Sequence, residues 1–302
     1  MRANVPDARV YGLARWWEPR DNIAQHEGLI TLLEGDLTDI SSLDHALAEA
    51  EADVIFHLAA ESFVPASYVS PIHTFQVNAI GTLNLLEMVW AGLYRSKIIL
   101  CSSPEVYGDT TEVMTEETPL RPVSPYALSK CAVDLAGYMY HQAYGIKTII
   151  SRGFAHEGPR RGAVFAVSNF AHQIALIEAG GPPYVYVGNL DVVRTYCDVR
   201  DMVRAYWLLA LRGDPGQAYN IAGDETMTVR AVLEELLSLS TRGKEIHVAQ
   251  DPARLRPHDV PCQRPDDRKF RDLTGWIPQI SFVKKTLPDI LEYWRQRVTR
   301  PQ

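Results

Sequence analysis

The chain has 302 residues, of which 46% are hydrophobic and 22% are charged, the proportions of an ordinary globular protein. This length can bury the core of one large α/β domain, or of such a domain with a smaller lobe. The formal net charge of −7 gives no reason to expect nucleic acid or an anionic membrane as a partner. The four cysteines are scattered and indicate neither a disulfide framework nor a metal site. The sequence contains no long apolar run and no signal-peptide pattern, which predicts a cytoplasmic protein.

The first half of the chain alternates short apolar runs with longer segments of helical periodicity. The runs predict strands at residues 8–14, 29–33, 52–60, 96–101 and 147–151, and the segments between them predict helices at residues 40–51, 71–91 and 124–144. Asp39 stands where the N-cap of the first helix would be. This alternation favours a parallel sheet that is covered by helices on both faces.

After Arg152 the pattern becomes less regular. Helices are predicted at residues 163–180, 229–239 and 283–297, and extended backbone at residues 245–248. We therefore predict an α/β fold. A doubly wound, Rossmann-like parallel sheet would occupy residues 1–154, and a smaller lobe, some of whose segments return to the first domain, would occupy residues 155–302.

A Tyr-x-x-x-Lys pair, Tyr126 and Lys130, lies within the predicted helix at residues 124–144. Positions i and i+4 share one face of a helix, so the lysine can lie beneath the phenol. A nearby ammonium favours the phenolate and lowers a tyrosine pKa from its usual value of about 10, which suits acid–base catalysis near neutral pH. The alternative is a surface tyrosine beside a solvated lysine.

Ser103 follows the predicted strand at residues 96–101, at the carboxyl edge where open α/β sheets place their ligands. Its hydroxyl could hydrogen-bond a substrate oxygen while Tyr126 removes the proton of that oxygen and a cofactor takes the hydride. Lys130 would then hold both the phenolate and the nicotinamide ribose. The alternative for Ser103 is a turn residue that satisfies backbone groups.

Six short motifs, in order along nearly the whole chain, resemble the extended short-chain dehydrogenase/reductase superfamily and, within it, the GDP-mannose 4,6-dehydratase group. They are residues 36–39 (DLTD), residues 57–62 (HLAAES), Asn78 with Gly81 and Thr82, residues 156–162 (HEGPRRG), residues 188–201 (GNL, Arg194 and DVRD), and residues 255–260 (LRPHDV). The block at residues 156–162 is the most specific match to the GDP-mannose enzymes.

The resemblance implies roles for residues outside the Tyr126 region. Residues 1–154 would bind the dinucleotide, and residues 155–302 would mainly bind a sugar nucleotide. Cofactor contacts are implied for Asp36 and Leu37 near the adenine, for Leu58, Ala59, Ala60 and Ser62 near the nicotinamide, and for Tyr126, Lys130, His156 and Arg161. Contacts to the sugar nucleotide are implied for Arg194, Arg256 and Asp259, because arginine suits a diphosphate, although each arginine could instead form a surface ion pair.

Glu105 bears on the type of reaction. A sugar-nucleotide dehydratase oxidises C4, removes the C5 proton, expels water from C6 and returns the hydride there, so it needs a second base. In the resembled dehydratases a glutamate holds the place of Glu105, although related GDP-sugar reductases can carry it too. The alternative is a solvated carboxylate in a turn.

Arg15 follows the first predicted strand, where the chain should meet the adenosine ribose. An arginine there accommodates a 2′-phosphate, which suggests NADP, with NAD as the alternative. The family tends to have two basic residues at this point, whereas here the next residue is Trp16. The family also has an asparagine that contacts substrate where this chain has Ala155.

The glycine-rich turn that opens a Rossmann domain does not precede the first predicted strand. By the family pattern, residues 8–14 form the second strand, and about 25–30 residues that would contain the central first strand and its helix are expected to be absent. This would leave two inner strands with unpaired backbone groups. A start codon assigned too far downstream explains this best, since the downstream catalytic positions are all suitable; a truncated pseudogene and a reduced protein that no longer binds dinucleotide tightly are the alternatives.

The expected function is a sugar-nucleotide 4,6-dehydratase that converts GDP-mannose to its 4-keto-6-deoxy product with internally recycled NADP. A GDP-4-keto-6-deoxy-mannose reductase, or another sugar-nucleotide epimerase or reductase, is the alternative enzyme. A non-catalytic, truncated binding protein is the alternative of another class. By family likeness the chain would form a homodimer or homotetramer through the helices at residues 71–91 and 124–144.

Overall fold

The computed structural model describes Val5, residues 7–26 and residues 28–299. Two units divide the chain. Unit 1 comprises the residues up to Ser102 together with Pro125–Ser151 and Trp207–Ala218, and unit 2 comprises Ser103–Ser124, Arg152–Tyr206 and the residues from Tyr219 onward. Among the described residues, no helix combines the length and the apolar character needed to cross a membrane.

Five strands that pair in parallel begin in unit 1. They are β1 (Tyr11–Ala14), β2 (Thr31–Glu34), β3 (Val54–His57), β4 (Lys97–Cys101) and β5 (Lys147–Gly153), the last of which extends into unit 2. β1 pairs with β2, and β4 pairs with β3 on one side and with β5 on the other. The apolar residues of β4 are fully buried, as expected for an inner strand of a parallel sheet.

The strands of unit 1 belong to two separate sheets, of which β1 and β3 are edge strands. Within the described part of the chain, β1 pairs with β2 alone and β3 pairs with β4 alone, so each of these strands has one unpaired edge. The apolar residues of β3 are only half-buried, whereas the isoleucines and leucine of β4 are completely covered.

Five helices accompany these strands: α1 (Ile40–Ala50), α2 (Val64–Val69), α3 (Pro71–Phe75), α4 (Gly81–Ala91) and α5 (Pro125–Tyr144). The Asp39 carboxylate caps α1 by accepting hydrogen bonds from the Ser41 and Ser42 amides, as predicted. The helix predicted at residues 71–91 is interrupted between α3 and α4 by a π-helical turn, Gln76–Ile80. Such turns widen the helix locally, and this one carries the buried Asn78.

Unit 2 and the returning segments contain the remaining elements. They are β6 (His156–Glu157), α6 (Ala166–Glu178), β7 (Tyr184–Val187), β8 (Val193–Asp198), α7 (Val199–Arg212), β9 (Ala218–Ile221), β10 (Glu225–Thr228), α8 (Val229–Ser238), β11 (His247–Gln250), α9 (Arg268–Thr274) and α10 (Leu287–Val298). β8 pairs antiparallel with β10 and parallel with β6, and β11 pairs parallel with β7. The core of unit 2 lies among α6, α8 and α10, where Ile174, Leu233 and Ile290 are buried.

Several predictions for the second half were wrong. No helix was predicted at α7, because its first residues match a binding motif and the helix follows β8 without a separating turn. The extended segment lies at β11 rather than at residues 245–248, since Gly243–Glu245 forms a 3₁₀ turn. α6 is shorter than predicted, and a π-helical turn, Phe282–Thr286, precedes α10.

Candidate active site

Tyr126 and Lys130 lie on one face of α5 in unit 1 and are only 8% and 5% exposed. The Lys130 ammonium is 6.0 Å from the centroid of the Tyr126 ring and donates a hydrogen bond of 2.7 Å to the Cys101 carbonyl at the end of β4. Burial lowers the pKa of Lys130. The pair is therefore held in the interior, unlike the solvated residues of the alternative interpretation.

Asn78 connects this part of α5 to the loop after β3. Its side-chain oxygen accepts a hydrogen bond from the Glu61 amide at 2.7 Å, and its side-chain nitrogen donates to the Glu61 carbonyl and to the Ser129 hydroxyl. Ser129 in turn donates to the Tyr126 carbonyl. The sequence indicated Asn78 only as a motif match, and its role in positioning the loop became visible from these contacts.

The loop that Asn78 holds carries the predicted nicotinamide-side residues. Of these, Leu58, Ala59 and Ser62 are exposed and Ala60 is half-buried. His57, at the end of β3, is buried and shares a 2.8 Å hydrogen bond with the Thr82 hydroxyl. Burial, reinforced by the Lys130 charge, lowers the pKa of His57 to about 3, so this imidazole is neutral at physiological pH.

A pocket of about 260 Å³ lies after the ends of β1 and β2 in unit 1. It is lined by Arg15, Trp16, Trp17, Glu34, Gly35, Asp36, Asp39 and Ser42. Asp36 accepts hydrogen bonds from the amide and the hydroxyl of Thr38, and the amide bond is the main cause that lowers the pKa of Asp36. The pocket therefore presents an ionised, oriented carboxylate beside an arginine, which suits recognition of a ribose.

Leu37 does not line this pocket, although its neighbour Asp36 does. Its side chain is buried against α4, where a Cβ at Gly81 would come within 2.8 Å of the Leu37 Cβ. The Leu37 carbonyl accepts a hydrogen bond from Asn84. The side chain thus anchors the strand-to-helix turn, and only the backbone of Leu37 is left for the predicted cofactor contact.

Ser103 begins the 3₁₀ turn Pro104–Tyr107 in unit 2, where its oxygen accepts a hydrogen bond from the Glu105 amide at 3.3 Å. This is the turn role named above as the alternative. The bond uses an oxygen lone pair and not the hydroxyl hydrogen, so it is compatible with donation to a substrate oxygen.

The turn continues into Tyr107 and Gly108, which are buried and structural. Tyr107 donates to the Asn220 side chain at 2.7 Å and accepts from Arg152, and burial raises the pKa of Tyr107 to about 12. Gly108 has φ +64°, and a Cβ there would overlap the Arg121 carbonyl oxygen. Glycine at this position therefore sets the path of the chain directly after Glu105.

Glu105 lies in a cluster with the three residues predicted to bind the sugar nucleotide. Its carboxylate accepts a 3.1 Å hydrogen bond from Gln263, whose side chain is 2% exposed. Burial lowers the pKa of Arg194, and the nearby charges of Glu105 and Asp259 oppose that shift while Arg256 adds to it. Arg256 forms an ion pair of 3.4 Å with Asp259. The charges of Glu105, Asp259 and Arg256 thus all act on the Arg194 guanidinium, a group that suits a diphosphate.

His156 and Arg161 contact each other in unit 2. Arg161 donates to the His156 carbonyl at 2.9 Å, forms a 3.3 Å ion pair with Glu157, and stacks on the Phe165 ring at 4.0 Å. His156 Nδ1 bonds the Phe154 carbonyl, and burial lowers the pKa of His156 to about 4. Both residues are therefore anchored within their own unit, and their contact with a cofactor stays a prediction.

The family model described as GDP-mannose 4,6 dehydratase matches residues 10–286 of this chain. The chain belongs to that family. It is accordingly a member of the short-chain dehydrogenase/reductase superfamily with a Rossmann-like α/β fold, as the motifs predicted.

Relatives of this GDP-mannose dehydratase family member catalyse two different reactions. A GDP-6-deoxy-D-mannose reductase from Pseudomonas aeruginosa is 33% identical over 267 residues, which cover 87% of this chain and 86% of that protein. GDP-mannose 4,6 dehydratase 1 from Arabidopsis thaliana is 33% identical over 263 residues, covering 86% of this chain and 73% of that protein. The solved structure of RMD from Pseudomonas aeruginosa, complexed with NADPH, has a TM-score of 0.83 and 28% identity and covers 96% of this chain and all of that one.

Ala155 and Gln263 take on a clearer meaning in the structure. Ala155, where the sequence resemblance led us to expect asparagine, packs against the apolar core of unit 2 and offers a substrate no polar side-chain group. Gln263, which contacts Glu105, was missed in the sequence. It lies 158 residues from Glu105 in a proline-flanked segment, and no local pattern marks it.

Proposed function

We propose that this protein is a sugar-nucleotide 4,6-dehydratase that acts on GDP-mannose and uses NADP, with NAD as the alternative. The observation that carries the proposal is the position of Glu105 in the cluster with Arg194, Arg256 and Asp259. A carboxylate beside groups suited to a diphosphate provides the second base that dehydration needs and that simple oxidation does not.

The residues of unit 1 support the first step. Tyr126 would accept the proton of the sugar C4 hydroxyl, assisted by the buried Lys130 ammonium. A dinucleotide, when bound, would supply the hydride chemistry of the reaction. The ionised Asp36 and the guanidinium of Arg15 fit the adenosine end of such a molecule, because one accepts from a ribose hydroxyl and the other can pair with a 2′-phosphate.

The residues of unit 2 support elimination. Ser103 would donate a hydrogen bond to the C4 oxygen, and Glu105 would take the C5 proton that the C4 ketone acidifies. Glu105 would then give this proton to the C6 hydroxyl, which leaves as water, and the proton held by Tyr126 would be returned at C5 when C6 is reduced. Gln263 holds the Glu105 carboxylate through a hydrogen bond, and the arginines would hold the diphosphate.

The direct test incubates the protein with GDP-mannose and NADP and measures the 4-keto-6-deoxy product. Glu105→Gln is expected to abolish product formation while cofactor binding is retained, because the amide cannot accept the C5 proton. Glu112→Gln, which removes an exposed carboxylate from unit 2, is the matched control and should remain active. A Glu105→Gln protein that still forms product would refute the proposal.

A reductase of GDP-4-keto-6-deoxy sugars is the second candidate, favoured by the reductase relative and by the full-length match to RMD. Such an enzyme consumes NADPH stoichiometrically, whereas a dehydratase shows no net consumption. Glu105→Gln should leave hydride transfer of a reductase largely intact, so the same variant separates the two reactions. A binding protein without activity would show neither reaction, and a thermal shift with NADP would report whether it binds the cofactor at all.

A further inference from the structure

The pocket after β1 and β2 has an unusual balance of charge for a site that is to bind a phosphate. Among its described lining residues Arg15 is the cationic one, whereas Glu34, Asp36 and Asp39 carry carboxylates. An adenosine 2′-phosphate adds further negative charge to this surface. Its binding therefore depends on whether the Arg15 guanidinium is available.

The Arg15 guanidinium is already engaged by Glu18. Its Nε donates to Glu18 Oε1 at 2.9 Å, and its Nη2 donates to the same oxygen. This hydrogen bonding is the largest cause that raises the pKa of Arg15, and the charges of Asp36 and Glu61 act in the same direction. Glu18 does not itself line the pocket, so it acts there through Arg15.

We propose that Glu18 determines cofactor specificity in this pocket by occupying Arg15 and so weakening the binding of a 2′-phosphate relative to a 2′-hydroxyl. This inference rests on the proposed function, because it takes the pocket to be the adenosine end of the dinucleotide site. A phosphate has to displace or share the Glu18 carboxylate and is repelled by it. A 2′-hydroxyl needs only an acceptor, which Asp36 provides.

The expected effect follows from the exposure of the pair. The Arg15 and Glu18 side chains are 33% and 44% exposed, so their interaction is screened by water. Releasing Arg15 and removing one repulsive charge near a phosphate together should change affinity about tenfold at low salt. The effect should shrink as ionic strength rises.

The test measures binding of 2′,5′-ADP and 5′-AMP to the wild-type protein and to Glu18→Gln by isothermal titration calorimetry. We expect Glu18→Gln to bind 2′,5′-ADP about tenfold more tightly and 5′-AMP with nearly unchanged affinity. Glu49→Gln, which removes an exposed carboxylate of α1, is the matched control for net charge and should change neither affinity. In an Arg15→Met background the gain from Glu18→Gln should be much smaller.

Three results would overturn the inference, and they have different consequences. If both ligands bind and Glu18→Gln leaves their ratio unchanged, Glu18 is not a specificity residue, and the proposed function stands. An equal gain in the Arg15→Met background would show that Glu18 does not act through Arg15. If neither ligand binds any of the variants, the pocket is not an adenosine site, and the cofactor assignment in the proposed function fails with the inference.

Discussion

Replacing His57 by glutamine should make the protein less sensitive to acid. His57 is 7% exposed, and burial lowers its pKa to about 3, whereas an unfolded chain would have the ordinary value of about 6.5. Below pH 6.5 the unfolded state binds a proton that the folded state excludes. The contribution of His57 to stability is therefore fully present above pH 6.5 and is lost as the pH falls toward 3.

The size of the effect follows from this difference in pKa. Each pH unit between the two values costs about 1.4 kcal/mol, so between pH 6.5 and pH 4.5 the free energy of unfolding should fall by roughly 2 to 3 kcal/mol through His57 alone. His57→Gln removes the titrating group. The glutamine amide can still hydrogen-bond the Thr82 hydroxyl, which in the wild-type protein lies 2.8 Å from an imidazole nitrogen. His156, with a pKa of about 4, contributes similarly in both proteins and cancels in the comparison.

The assay is urea unfolding of wild type and variant at pH 7.5 and pH 4.5, followed by circular dichroism. The loss of stability between the two pH values should be roughly 2 to 3 kcal/mol smaller for His57→Gln. His45→Gln, an exposed change on α1, is the matched control and should behave as the wild type does. Equal losses in wild type and His57→Gln would refute the reasoning, because they would show that His57 titrates alike in the folded and unfolded states.

Three further predictions concern unit 2. Gly108→Ala should lower the melting temperature more than Gly275→Ala does. Both glycines have positive φ, but of the two only a Cβ at position 108 would overlap a carbonyl oxygen, so equal decreases in melting temperature would contradict this reasoning. Asn220→Leu should cost about 3 kcal/mol in urea unfolding, because it removes three hydrogen bonds, one from the buried Tyr107 hydroxyl and two to carbonyl groups. A loss below about 1 kcal/mol would argue against this estimate. Gln263→Leu should reduce kcat for formation of the 4-keto product about tenfold with little change in KM, because Glu105 loses the charge-assisted hydrogen bond that orients it. An unchanged kcat would show that Gln263 does not orient Glu105 for catalysis.

Asn220 and Gln263 show why part of the site could not be predicted. Asn220 bonds Tyr107, which is 113 residues away, and Gln263 bonds Glu105 across 158 residues. A buried polar side chain is stabilised by the hydrogen-bond partner that the folded chain brings to it. No local sequence pattern around Asn220 or Gln263 indicates which residue that partner is. The same reason applies to Asn78, whose position in a motif was visible while its bonds to Glu61 and Ser129 were not.

The sequence by itself determined the properties that depend on neighbouring residues. The i and i+4 spacing of Tyr126 and Lys130, the Asp39 cap and the apolar runs of the parallel strands are short-range features, and the structure contains each of them. The order of the family motifs was equally readable. The tertiary structure alone decided the burial of the Tyr126–Lys130 pair and the Glu105–Gln263 contact, because burial and long-range pairing arise only when distant segments pack together.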